Sequence, residues 1–158
     1  MPTRIHLKTI INAPIEICFD LSRSIDLHQH STQQTHEKAI AGRTTGLIEL
    51  NEFVTWRATH FLITQMLTSK ITVFNRPYSF TDVMMEGAFK SIHHDHIFER
   101  SGGKTLMTDH FSYEVPGGVI GSLFNTLILK HYMKRLLVKR NEAIKTAAES
   151  NEWKRFLA

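Results

Sequence analysis

Apolar and polar positions alternate with a period of two through most of this chain and change to a helical period at two places. Residues 3–11 alternate and are rich in β-branched side chains, which predicts a strand. Asn12-Ala13-Pro14 predicts a helix start, because proline at the first helical position gives up no hydrogen bond. Ile15, Cys18, Phe19 and Ser22 share one side of that helix, with Leu21 and Ile25 beside them. A second short helix is expected at 25–30 and a polar loop at 29–34. From His36 the period returns to two. Strands are expected at 37–41, 51–61, 66–74 and 78–86, with turns at 42–46 and at Asn75-Arg76-Pro77 and a short strand or connector at 47–50. Val54, Trp56, Ala58 and His60 then face one way, and Phe80, Asp82 and Met84 share a face of the later strand.

The next two strands are the most informative. Residues 88–100 and 104–115 alternate on either side of Ser101-Gly102-Gly103-Lys104, a hairpin turn in which glycine supplies the positive φ angles. With Gly102 and Gly103 as the turn residues, Ile92 pairs with Tyr113, His94 with Phe111, His96 with Asp109 and Phe98 with Met107. All eight side chains lie on one face, and turning the chain near Gly87 brings Asp82 beside His94. That face is apolar at both ends and holds His, His and Asp in its middle, a pattern suited to the wall of an oily cavity with a polar centre.

Pro116-Gly117-Gly118 ends the sheet, and 119–148 reads as one long amphipathic helix. Ile120, Leu123, Leu127, Ile128, Leu129, Met133, Leu136, Leu137, Arg140 and Ile144 follow its spacing. The plan is α+β, with a single domain over 1–150 and a frayed or differently packed tail at 151–158. A curved antiparallel sheet wrapped around a long terminal helix leaves a gap that could hold a ligand.

Composition narrows the function classes. With 42% hydrophobic residues and a formal charge of +4, the chain resembles ordinary globular proteins, and no apolar run reaches the length of a membrane span. The opening residues pass straight into a strand pattern without a signal-peptide core, and the lone Cys18 suits a reducing cytoplasm. No nucleic-acid motif, phosphate loop, Cys-x-x-Cys pair or hydrolase signature is present. Cys18 is expected to be an inert buried thiol. The basic run Lys130–Arg135, with Lys139 and Arg140, reads as the solvated side of a core helix, with a patch for anionic membranes as the alternative.

The order of elements resembles the helix-grip fold of the START-like, or SRPBCC, superfamily, which includes birch-pollen allergens and polyketide cyclases. Ile11-Asn12-Ala13-Pro14-Ile15-Glu16-Ile17-Cys18-Phe19 is similar to a start common in that superfamily. The segments Trp56–Phe61, Leu67–Thr72, Phe80–Asp82, Gly87–Phe89, His94–Glu99 and Asp109–Tyr113 resemble its bacterial ligand-binding SRPBCC group over nearly the whole chain. Asp95 stands where glutamate is expected between the two histidines.

The resemblance implies a small hydrophobic ligand. No cofactor and no nucleic-acid partner are expected, nor stable membrane insertion as distinct from transient surface contact, and the chain is expected as a monomer or homodimer. The expected ligand contacts are Trp56, Phe80, Asp82, Met84, Ile92, His94, His96, Phe98, Asp109, Phe111, Tyr113, Leu129 and Met133, with no catalytic or metal-binding residue assigned. The His/Asp cluster itself admits four readings: mutually satisfied charges, a ligand's polar anchor, a zinc site, or a His–Asp pair for proton transfer. A cyclase- or aromatase-like enzyme is therefore an alternative to a binding protein, as is a non-catalytic module that regulates a partner.

Overall fold

The longest hairpin register of the sheet is set by two glycines. Gly102 and Gly103 take φ of 55° and 82°, and the hairpin of β6 (Ser91–Ser101) and β7 (Lys104–Glu114) closes with Ser101 opposite Lys104. His96 lies opposite Asp109 and His94 opposite Phe111, the register expected from the turn. In this computed structural model, which describes residues 1–158, β1 (Thr3–Ile11) pairs with the free side of β7. On the other side follow β5 (Ser79–Glu86), β4 (Ile63–Asn75), β3 (Phe53–His60) and β2 (Lys38–Gly42), giving the antiparallel order β1-β7-β6-β5-β4-β3-β2. Asp82 lies opposite His94, again as expected.

Several boundaries differ from the sequence expectation. β6 begins at Ser91 rather than at residue 88, because the chain first turns through 87–90. β4 begins three residues earlier than expected. Its turn from β3 is made by Phe61 and Leu62 at φ of 51° and 65°, and neither residue type advertises a turn. The segment 29–34 is mostly helical rather than a loop. α2 (Ile25–Ser31) runs into it, with the Ser24 hydroxyl accepting from the Leu27 N–H, and a 3-10 turn follows at Gln33–Thr35.

Two apolar clusters lie inside the curve of the sheet. In the larger, α1 (Ile15–Ser22) places Phe19 edge-on to Phe74, Phe80 and Phe98, with ring centroids 5.4, 5.3 and 5.4 Å apart. Cys18 is buried beside it. The smaller cluster gathers Ile5, Ile92, Phe111, Tyr113, Leu129 and Leu137 around the other end.

The expected long helix has three parts: α3 (Gly118–Phe124), a wider π turn at Asn125–Leu129, and α4 (Lys130–Ala148). Its start is pressed against the preceding chain. A Cβ on Gly121 would stand 1.9 Å from the Pro116 carbonyl oxygen, a separation no side chain allows. The closing segment forms a further helix, α5 (Trp153–Leu157), whose Trp153, Phe156 and Leu157 pack on the larger cluster. One expectation for the helix does not hold. Leu129, Leu137, Arg140 and Ile144 are buried, but Ile120, Leu123, Leu127 and Ile128 are exposed, because the sheet does not reach under α3.

Candidate functional site

Between the sheet and α4 lies a cavity of about 450 Å³, with walls mostly of apolar side chains. Alternation along the strands aims every second side chain at it, and α4 covers the open side. Trp56, Phe80, Asp82, Ile92, His94 and His96 line it from the sheet, as does Phe111. Leu129 and Met133 close it from the helical side.

Four of the residues expected on the wall are not part of it. Phe98 points the same way as His96 but is covered by Phe19 of α1. Tyr113 is sealed at the opposite end, where its hydroxyl donates to Asn125 Oδ1 (2.6 Å) and Asn125 donates to the Thr3 hydroxyl (2.7 Å). Met84 packs against the smaller apolar cluster. Asp109 is fully buried behind His94. The helical elements thus fill both ends of the strand face, and only its middle stays open.

The polar centre is a chain of hydrogen bonds. His94 Nε2–H donates to Asp109 Oδ1 (2.7 Å), and Asn141 donates to Asp109 Oδ2 (2.7 Å). His96 Nε2–H donates to Asp82 Oδ2 (2.6 Å), and its Nδ1 accepts from Arg140 (3.2 Å). The Arg140 guanidinium also donates to Asn141 Oδ1 and to the Ser22 carbonyl, and stands 3.5 Å from Asp109. Burial by itself would raise the Asp109 carboxyl; the hydrogen bond from His94 and the Arg140 charge outweigh it and hold that carboxyl far below the usual range. For Asp82, burial is likewise outweighed by the hydrogen bond from His96, and its pKa is lowered. Burial, the adjacent His94 and Arg140 push His96 down from 6.5 to about 4, so it is uncharged at neutral pH. Asp82 and Asp109 are thus both carboxylates, and the Arg140 guanidinium stands beside Asp109. The Asp82 side chain keeps 23% of its surface exposed, and it opens on the cavity.

A metal fits this cluster poorly. Ligand atoms of Asp82, His94 and His96 lie within 4.8 Å of one another. Both ring nitrogens of His96 are engaged, however, and a cation there would sit beside a guanidinium.

A second polar group lines the cavity, and strand alternation alone does not announce it. His28 Nε2 meets Glu37 Oε1 at 2.6 Å, and the His28 ring lies 4.4 Å from that of Trp56. His60 Nδ1 meets the Tyr132 hydroxyl at 2.6 Å. All of these line the cavity, as does Arg140. Arg140 does not belong to the solvated basic side expected of the helix: it shares the spacing of Leu137 and Ile144 and is buried with them. Tyr132 depends on a rotation of α4 that helical spacing leaves undetermined. In the sequence Glu37 marks only the start of an expected strand.

No described protein family matches the sequence, and no curated protein does. Solved structures do match. The chain is similar to TTHA0849 from Thermus thermophilus, with a TM-score of 0.72 at 15% identity over 92% of this chain and 99% of that one. It is similar to major latex-like protein 151 from Panax ginseng, with a TM-score of 0.66 at 16% identity over 94% and 99%. Ms6760 from Mycobacterium smegmatis matches with a TM-score of 0.66 at 13% identity over 90% and 88%. The fold is the START-like helix-grip fold. In helix-grip terms, α4 is the gripped helix and the cavity is the space the sheet fails to fill around it. At these identities the likeness carries the architecture and leaves the chemistry to this chain's own residues.

Proposed function

We propose that this chain binds a small, mainly hydrophobic molecule in the cavity between sheet and α4, with a hydrogen-bond donor of the guest set against Asp82. The main support is the cavity itself. Its volume of about 450 Å³ falls within the roughly 300–1,000 Å³ of small-molecule sites, and its apolar walls surround a few convergent polar groups. Burial of the guest supplies the driving force, at about 25 cal/mol per Å² before ordering costs. Orientation comes from Asp82, whose exposed oxygen accepts and does not donate. A hydroxyl or amine at one end of the guest suits this centre, and a carboxylate does not. The free, buried Cys18 fits a reducing compartment such as the cytoplasm.

Native mass spectrometry of protein purified from its own host tests the proposal, and a retained non-covalent mass is expected. Ser69→Phe, which fills part of the cavity wall, is expected to release that mass and leave the fold intact. A parent protein that carries no mass and shows no saturable uptake of an apolar fluorescent probe removes the proposal.

One observation favours a second reading. His94 donates through Nε2 to Asp109 while its Nδ1 makes no hydrogen bond and stands 4.0 Å from Asp82, on the cavity side. A base oriented in this way suits proton transfer in a cyclase-like reaction. That reading predicts turnover with a bell-shaped pH profile that is lost in His94→Phe, whereas a pure binder gives saturation without product.

A further inference from the structure

The outer end of the molecule carries more exposed hydrophobic surface than a soluble monomer needs. Val119 and Ile120 are 86% and 83% exposed, Leu123 and Leu127 are 59% and 64%, and Leu62 at the β3–β4 turn is 98%. These are not scattered residues. Phe61 of the turn packs on Phe124 of α3, with centroids 5.7 Å apart, so turn and helix form one continuous apolar face. Phe61 and Phe124 also line the cavity, which places this face at its mouth.

Charge indicates what covers the face. No aspartate or glutamate occurs from residue 53 to 81 or from 115 to 141, the two segments that build it. Ile120, Leu123, Leu127 and Ile128 are exposed along α3 and the π turn, and the exposed stripe runs on into His131, Lys134 and Arg135 of α4. The stripe is apolar for about 15 Å from Val119 to Ile128, then basic. A second copy of the chain would bring one acid-free, basic face against another. A surface with an oily interior and a negative rim complements both parts of the stripe.

We propose that this end docks on an anionic lipid bilayer. Leu62, Val119 and Ile120 enter the boundary between headgroups and acyl chains, while Lys130, Lys134 and Arg135 meet the headgroup charges. The cavity mouth then opens towards lipid. An exchange of guest with the membrane would rest on the ligand-binding proposal above, but docking itself does not.

The test is flotation of the full chain with vesicles of phosphatidylcholine alone or of phosphatidylcholine with phosphatidylserine. Binding to the phosphatidylserine vesicles is expected, falling as salt is raised. Two double variants at exposed positions, Leu62→Asp with Ile120→Asp and Lys134→Glu with Arg135→Glu, should each lower that partition at least about tenfold with an unchanged thermal midpoint. The proposal is overturned by absence of binding, by equal and salt-insensitive binding to both vesicle types, or by unchanged binding of the apolar variant. It is equally overturned by a dimer in sedimentation equilibrium that the apolar variant dissociates. If the chain floats with vesicles but carries no guest in native mass spectrometry, docking stands and the ligand-binding proposal does not.

Discussion

Asp109 is the residue on which the interior depends. It is fully buried and receives hydrogen bonds from His94 and Asn141, with Arg140 beside it. Asp109→Ala leaves a buried guanidinium short of its counter-charge and is expected to destabilise the fold by about 3–5 kcal/mol in denaturant titrations. A loss below about 1 kcal/mol would mean that the network contributes no net stability. The variant therefore reports on folding and not on ligand contact. The neighbouring His96 gives a pH signature. Its folded pKa of about 4 lies below the ordinary 6.5, so between these values the unfolded chain binds a proton that the folded chain does not. The His96 contribution is complete above pH 6.5 and is expected to fall by about 3 kcal/mol as pH drops towards 4. His96→Phe should flatten this slope, and an unchanged slope would assign it to other groups.

At the level of elements, α5 gives the plainest prediction. Trp153, Phe156 and Leu157 are partly buried against the larger cluster, so removing residues 151–158 should cost about 2–4 kcal/mol and lower the thermal midpoint. If the midpoint holds, the helix is an ornament.

The hairpin was legible down to single pairs because two adjacent glycines fix the turn and alternation carries the register outward. The β3–β4 turn was misplaced because Phe61 and Leu62 look like strand residues although they take positive φ. A helical period marks an apolar side without saying what covers it, and so Ile120 and Leu129 looked equivalent although one is exposed and the other buried. For the candidate site, the polar centre on the strands was readable. Its helical partners Arg140, Asn141 and Tyr132 were not, since their contribution depends on how α4 is turned against the sheet.

For the whole molecule, an unfilled interior should make stability depend on its guest. A ligand present at 100 times its Kd adds about 2.7 kcal/mol, so protein stripped of guest should melt lower and recover on re-addition of the host's apolar extract. Identical melting before and after stripping would argue that the cavity is idle. The same scale relates the two proposals, since the cavity and the exposed apolar face meet at Phe61 and Phe124.

Gly121 sits where these parts join, and its missing methyl is what lets α3 lie against Pro116. One added carbon there acts as a wedge under a lever. Gly121→Ala should splay the outer arm of the helix away from Pro116, widen the aperture, and speed the exchange of a bound guest while the distant α1 core keeps its packing.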